Sequence, residues 1–183
     1  MDIKAMRIDS ALKQKKGIHF IFASVILWSA CTVLHTTDLP ILTKNLYTFF
    51  ITAPLVPLAF MISKLIGVDF QNKSNPLTDL GILFSMNQML YLIIAMWIFN
   101  AAPDKMLMVI AIIFGAHLLP YGWLYMSKTY MILSVFIPIF SLIVGLNFEP
   151  YILGLSMIVI ETIFSIVLWL EVKNLATKTQ SQA

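Results

Sequence analysis

Two ionisable side chains lie near the middle of long apolar stretches, where any such group needs a partner. Glu161 is 11 residues from Pro150, and His117 is 11 residues from Lys128. At 1.5 Å per residue, each lies about 16 Å along a helix, near the midplane of a hydrocarbon layer ~30 Å thick. A carboxyl group at that depth is expected to be protonated or to have a cationic partner, and His117 is the other deep group that could become a cation.

Four further polar side chains extend this layer. Asn87 and Gln88 lie near the middle of another apolar stretch, and Tyr91 is one turn from Asn87 on the same helix face. Tyr121 follows His117 at i+4 and shares its face. Such groups commonly form hydrogen bonds between membrane helices, worth about 1 kcal/mol each, so one interpretation is purely structural. The other interpretation is a binding site for a small solute or a proton.

Four prolines occur near the same depth, at Pro54, Pro57, Pro120 and Pro138. A proline removes an intrahelical hydrogen bond and frees a carbonyl group that another donor must satisfy. Several transporters build solute sites from helices that are broken at the midplane. We therefore predict helix breaks or hinges at these prolines, with a static kink as the simpler alternative.

The elements that must position these residues are membrane-spanning helices. The chain has 183 residues, 60% hydrophobic and 11% charged, and a mean hydropathy of +0.88, which excludes a water-soluble domain. No stretch alternates as the strands of a transmembrane barrel do. The predicted fold class is all-α, a polytopic membrane protein with six transmembrane helices. Within a transmembrane domain of residues 18–173, these spans cover roughly 18–37, 43–64, 78–100, 105–127, 129–147 and 150–171.

The positions of the basic residues predict the orientation. Ten of the twelve Lys and Arg residues fall on the side of the amino terminus, whereas Lys44 and Lys105 fall on the opposite side. Because cytoplasmic loops carry an excess of Lys and Arg, we expect both termini in the cytoplasm. Residues 1–17 then form a basic cytoplasmic leader and residues 174–183 a cytoplasmic tail.

The six spans divide into two halves of opposite orientation. Pro54 and Pro138 occur in the second span of each half, and Asn87 and Glu161 occur in the third. This correspondence is typical of an inverted 3+3 repeat.

Motifs for other chemistry are missing from the sequence. Cys31 is the only cysteine, and His19 and His35 are 16 residues apart, about 24 Å along one helix, so they cannot join His117 in one metal site. There is no His-Glu-x-x-His, Gly-x-Ser-x-Gly or phosphate-binding glycine motif. We expect no metal, no cofactor and no nucleic-acid partner. A His117–Glu161 acid–base pair leaves a lipid-directed enzyme as a third interpretation.

Three short runs carry a family resemblance: Gly115 to Tyr125, Asn75-Pro76-Leu77 and Met86-Asn87-Gln88. Together they resemble a family of small six-span bacterial membrane proteins whose function is uncharacterised. The resemblance covers most of the chain. It implies an integral membrane protein in a bacterial plasma membrane and no particular reaction.

The pattern favours a six-helix bundle with a small-solute or proton-linked transport site. The predicted site residues are Asn87, Gln88, His117, Tyr121 and Glu161. The alternative is a noncatalytic accessory or sensory membrane protein in which these residues only fix helix packing. The expected partners are membrane lipids and a small solute or proton, and a homodimer fits the prevalence of two-fold symmetric oligomers. A transport site requires these side chains to meet in a cavity that water can enter, whereas a packing role requires dry, paired contacts.

Overall fold

The structure is a computed structural model that describes residues 2–181, all-α throughout that range. A short basic helix, α1 (Ile3–Lys13), precedes six apolar helical segments, each long enough to cross a membrane. These segments are α2 (Ile18–His35), α3 (Ile41–Thr52) continued by α4 (Leu55–Leu65), α5 (Leu77–Ala101), α6 (Met106–Leu124), α7 (Lys128–Asn147) and α8 (Pro150–Gln180). The prediction of an all-α fold with six long apolar helices is confirmed. Met1, Gln182 and Ala183, at the ends of the predicted leader and tail, lie outside the described residues.

The connections between the helices contain the prolines and polar residues that end a helix. Pro150 is the first residue of α8, where its missing N–H removes no helical hydrogen bond. The Ser127 hydroxyl accepts a hydrogen bond from the Tyr130 N–H and so caps α7. Only residues 125–127 separate α6 from α7, which therefore form a tight helical hairpin.

The last helix extends beyond the predicted span, and the second span consists of two helices. The apolar pattern placed the end of the last span near residue 171, but α8 continues to Gln180. Residues 172–180 include neither Gly nor Pro, so the helix continues beyond its apolar part. The second span is interrupted between Thr52 and Leu55, and the halves on either side are separate helices.

The core consists of two antiparallel helix pairs, α2 with α8 and α6 with α7. Glycines allow close approach in the α6–α7 pair. A Cβ atom at Gly115 would lie 2.6 Å from the ring of Pro138, and one at Gly122 would lie 2.7 Å from the side chain of Met131. Small residues at such contacts are typical of helix pairs in membranes, where apolar burial gives no driving force between helices.

Two segments lie at the periphery of this core. The α3–α4 segment packs on α2, and α5 packs chiefly on α6. Ala95 is the only buried residue of α5, whose other described side chains are half-buried or exposed. In a membrane most of α5 therefore faces lipid or another protein.

The bundle has two ends, which we call near and far. The near end comprises α1, residues 66–76 and residues 125–127, and the far end comprises residues 36–40, 102–105 and 148–149. At the near end, the Asn75 side-chain amide donates to the Met6 carbonyl (2.7 Å) and to Asp9 Oδ2 (2.9 Å). Arg7 donates to the Trp123 carbonyl and lies 4.5 Å from the centre of its ring system. These contacts fasten α1 across the near end.

Candidate functional site

Glu161 is completely buried, with 0% of its surface exposed, in the middle of α8 where that helix faces α2. Its Oε2 atom lies 2.6 Å from Ser24 Oγ on α2. Its Oε1 atom has no hydrogen-bond partner, and within residues 2–181 no basic side chain forms an ion pair with the carboxyl group. A carboxylate in this position would be a buried charge with one hydrogen bond.

The number of hydrogens that the Ser24 hydroxyl can donate indicates whether the contacts fit the protonated or the ionised form of Glu161. Ser24 Oγ also lies 2.8 Å from the Ile21 carbonyl oxygen, and a hydroxyl group has one hydrogen to donate. If Glu161 is protonated, its O–H donates to Ser24 and the Ser24 O–H donates to Ile21, so both short contacts are full hydrogen bonds. If Glu161 is ionised, the single Ser24 hydrogen must serve two acceptors, and a charge is left in a buried interface. The geometry therefore fits the neutral acid.

The Ser24 contact lies between two others that join α8 to α2 or to the residues just before α2, and we call the three together the α2–α8 ladder. At the near end, Lys16 Nζ lies 2.7 Å from Glu171 Oε2 in an ion pair, with the Lys16 side chain only 6% exposed. Towards the far end, Gly154 packs directly against Thr32, whose hydroxyl and backbone occupy the place of a Cβ atom. Lys16, Ser24 and Thr32 follow one another at intervals of eight residues along the chain. Glu161 thus lies at the centre of an antiparallel helix interface that is held at both ends.

The near-end side of Glu161 is closed by tyrosines and by the junction between α1 and α2. The Tyr130 hydroxyl donates to the Lys16 carbonyl (2.9 Å), and its ring packs edge-on against Phe164, one turn from Glu161. The Tyr125 hydroxyl donates to Gln14 Oε1 (3.1 Å). The backbone of the junction has positive φ angles at 15–17, which allows the chain to turn sharply into α2. This arrangement leaves Glu161 occluded at the near end.

His117 and Tyr121 form a cluster towards α5, and the Tyr121 ring also packs against the rings of Tyr125 and Tyr130. His117 Nδ1 lies 2.6 Å from the Phe114 carbonyl of its own helix, and its ring packs edge-on against Tyr121. The Tyr121 hydroxyl donates to the Gly81 carbonyl (2.9 Å) and lies 2.6 Å from the Ser85 hydroxyl. In the described part of the chain, no hydrogen bond or ion pair joins this cluster to Glu161. The structure therefore brings two of the predicted residues together, but not with the buried acid.

Asn87 and Gln88 lie on α5, away from the α2–α8 ladder. Asn87 is on the exposed face, where its amide donates to the Tyr91 hydroxyl (2.9 Å), and Gln88 is half-buried. Neither makes a hydrogen bond to another predicted site residue among the described residues.

The four prolines occupy two kinds of position. Pro54 immediately precedes α4, at the interruption after α3, and Pro57 lies in the first turn of α4. Pro120 and Pro138 lie inside the continuous helices α6 and α7. The helix is interrupted only at the first pair.

Ser24, Lys16 and Glu171 were not among the predicted site residues. Lys16 and Glu171 each lie at the same predicted membrane surface, one before the first span and one after the last, and that placement was the available signal. Ser24 gave no signal, because serine is common in membrane helices and readily bonds to its own backbone. No group of three His, Cys, Asp or Glu side chains that could hold a metal ion occurs within residues 2–181.

These features define a helical membrane protein of six apolar spans with a buried acid between two of its core helices. The chain belongs to DUF7010, a family of unknown function, whose sequence profile matches residues 3–171. This match includes α1 and all six apolar segments. No curated protein and no solved structure matches the chain. The family assigns no reaction, so function must be argued from the residues themselves.

Proposed function

We propose that this protein is a proton-linked membrane transport protein in which Glu161 carries the coupling proton. The observation that supports this proposal is the fully buried Glu161 carboxyl group, with one oxygen bonded to Ser24 and the other without a partner. Ionisable groups inside a membrane bundle are rare and often belong to proton or ion pathways. The proposed solute is small, as expected for a bundle of six spans.

Loss of the proton would change the packing of α2 against α8. A carboxylate at position 161 would lie in a fully buried interface beside Ser24 and apolar neighbours, which costs several kcal/mol unless water or a cation enters. Separation of the two helices would admit that water. The protonation state would therefore shift the equilibrium between the closed ladder described above and a more open arrangement. The contacts described here fit the protonated, closed arrangement.

We also propose that the near end faces the cytoplasm and that the spans form an inverted 3+3 repeat. The first proposal is supported by the ten basic residues on the near-end side against Lys44 and Lys105 at the far end. The second is supported by corresponding neighbours in the two halves. The first span packs on the second and the sixth, and the fourth span packs on the fifth and the third.

A second candidate function, an accessory or sensory membrane protein, is favoured by the contacts of the other predicted residues. His117 is bonded within its own helix, and Tyr121 binds the backbone of α5. Contacts of this kind fix helix packing. Under this alternative, Glu161 and Ser24 would also serve only to hold α2 against α8.

Proton movement in proteoliposomes tests the proposal. The purified protein would be reconstituted with a pH-sensitive dye in the lumen, and leucine, glucose, ethanolamine and succinate would be added outside in turn. We expect at least one solute to drive proton entry in the wild type and Glu161→Gln to abolish it, because the amide preserves size and hydrogen bonding but cannot ionise to release a proton. Asp79→Asn is the matched control, since Asp79 is exposed in the first turn of α5.

Two results would contradict the proposal. One is solute uptake by Glu161→Gln with an unchanged pH dependence. The other is the absence of proton movement with every solute, although thermal unfolding and chromatography show that the protein is folded. The accessory function would then be the better explanation.

A further inference from the structure

A polar cleft of about 350 Å³ opens at the far end of the bundle. It lies where the end of α2, the start of α3, the α5–α6 connection and the α7–α8 turn meet. Its lining includes both signs of charge beside apolar surface, from His35, Lys44, Asp104, Lys105, Phe148 and Glu149. This cleft lies at the opposite end from α1, so the contacts that close the near end leave it open.

The charged groups of the cleft are only partly used by the protein. Within residues 2–181, Lys44, Lys105, Asp104 and Glu149 form no ion pair. Lys44 Nζ donates to the His35 carbonyl (3.4 Å), and Lys105 Nζ donates to a backbone carbonyl near the end of α7 (2.8 Å). An ammonium group has three hydrogens, so each lysine has donors left for a ligand. Two free carboxyl groups lie on the same cleft.

Buried hydrogen bonds hold the cleft in shape. The Asn45 side chain is 1% exposed, and its amide donates to the Pro103 carbonyl (2.9 Å), which ties α3 to the α5–α6 connection. His35 Nε2 lies 3.2 Å from the hydroxyl of Thr48, which is also buried. A cleft that is formed before the ligand arrives binds with a smaller loss of conformational entropy.

We infer that this cleft binds a small zwitterion, with the anionic group of the ligand near Lys44 and Lys105 and its ammonium group near Asp104 and Glu149. Leu39, Ile41 and Phe148 line the same cleft and suit an apolar substituent on that ligand. An amino acid such as leucine has this chemistry, and so does the headgroup of phosphatidylethanolamine. The inference rests on the proposed transport function only in identifying the bound zwitterion with the transported solute; binding itself is measured without transport.

Calorimetric titration of the purified protein with L-leucine tests the inference. The protein would be placed in nanodiscs of phosphatidylglycerol, which carry no ammonium group. We expect saturable binding that weakens about tenfold or more in Lys44→Gln and in Glu149→Gln, because each removes a charge-assisted hydrogen bond. Lys44→Arg should retain binding. Lys73→Gln and Asp79→Asn are the matched controls at the near end and should bind as the wild type does.

Two truncated probes separate a zwitterion site from a site for one charge. We expect 4-methylpentanoate, which lacks the ammonium group, and 3-methylbutylamine, which lacks the carboxylate, each to bind about tenfold or more weakly than leucine. Equal binding of all three compounds would overturn the inference. So would unchanged leucine binding in Lys44→Gln and Glu149→Gln.

A lipid arm distinguishes the two sources of zwitterion. Native mass spectrometry after nanodisc exchange would show whether phosphatidylethanolamine is retained and whether Lys44→Gln or Glu149→Gln releases it. Retention of the lipid without leucine binding supports the zwitterion site and overturns its identification with a transported solute. If neither ligand binds to the folded wild type, the inference is wrong.

The outcome of the binding experiments can be distinguished from the outcome of the proton-movement experiment that tests the proposed function. Leucine binding without any proton movement would support the cleft and contradict proton-linked transport. Proton movement that depends on Glu161 and is driven by another solute, without leucine or lipid binding, would contradict the cleft alone.

Discussion

Replacement of Gly154 by alanine tests how closely α2 and α8 approach each other at the ladder. The added Cβ atom would overlap the Thr32 hydroxyl and would lie 3.2 Å from Thr32 Cβ and 3.3 Å from Thr32 Cα. Rotation of the threonine side chain can move its hydroxyl, but the contact with Cα remains. The two helices must therefore move apart by a few tenths of an ångström to accept the methyl group.

The expected effect is the difference between two terms. Overpacking of a close contact costs about 1–3 kcal/mol, and alanine regains up to about 1 kcal/mol of helix propensity relative to glycine. The net expectation is a loss of up to about 2 kcal/mol in the free energy of unfolding. Gly81→Ala on α5 is the matched control, because its Cβ atom would lie 3.4 Å from a Leu124 methyl group, an ordinary contact. That substitution should stabilise the protein by up to about 1 kcal/mol.

Reversible unfolding in mixed detergent micelles would measure both changes. Gly154→Ala combined with Thr32→Ala should recover part of the loss, because the double variant removes the hydroxyl group that the new Cβ atom meets. If Gly154→Ala stabilises the protein as much as Gly81→Ala does, the close approach of α2 and α8 is wrong.

Three further predictions concern the ends of the bundle. Lys16→Met should lower the free energy of unfolding by about 1.5–3 kcal/mol, because it removes a charge-assisted hydrogen bond from the half-buried Glu171 carboxylate. The exposed Lys128→Met should change it by less than about 0.5 kcal/mol, and equal losses would argue against the ion pair. Burial tends to raise the pKa of Asp9, but hydrogen bonds from Asn72, Lys13 and Asn75 and the charge of Lys13 together lower it below its ordinary value. The docking of α1 should therefore be stable at neutral pH and weaken as the pH falls through this lowered pKa, which limited proteolysis would detect, and Asp9→Asn should remove that dependence on pH. In a Cys31→Ser background, an impermeant thiol reagent outside cells should label Glu149→Cys and spare Lys73→Cys; the reverse pattern would invert the proposed orientation.

The sequence was sufficient to predict the helices because the length of an apolar run is a local property. Six runs of sufficient length became six helical segments, and the depth of Glu161 along its run indicated its burial. The interruption of the second span at Pro54 also has a local explanation. Pro54 and Pro57 remove two hydrogen bonds within one turn, and the helix is interrupted there, whereas the single prolines Pro120 and Pro138 lie in continuous helices.

The partners of Glu161 could not be predicted, because they depend on which faces of the helices meet. In these spans almost every side chain is apolar, so hydrophobic periodicity does not indicate which face of a helix is buried. The depth of each residue along its helix predicts that Glu161 pairs with His117. In the structure, however, α8 packs on α2 and the Glu161 carboxyl group contacts Ser24. Depth also grouped Asn87 with the acid, although α5 lies at the edge of the bundle and exposes that residue.

The protonation of Glu161 can be measured directly by infrared difference spectroscopy. In reconstituted protein at neutral pH, the wild type should show the carbonyl band of a protonated carboxylic acid, which is absent from Glu161→Gln and unchanged in Asp79→Asn. The band should disappear reversibly at alkaline pH if the proton can leave the site. A wild-type spectrum that differs from Glu161→Gln only in carboxylate bands at neutral pH would mean that Glu161 is ionised, and it would contradict both the hydrogen bonding inferred around Ser24 and the role of Glu161 as a proton carrier.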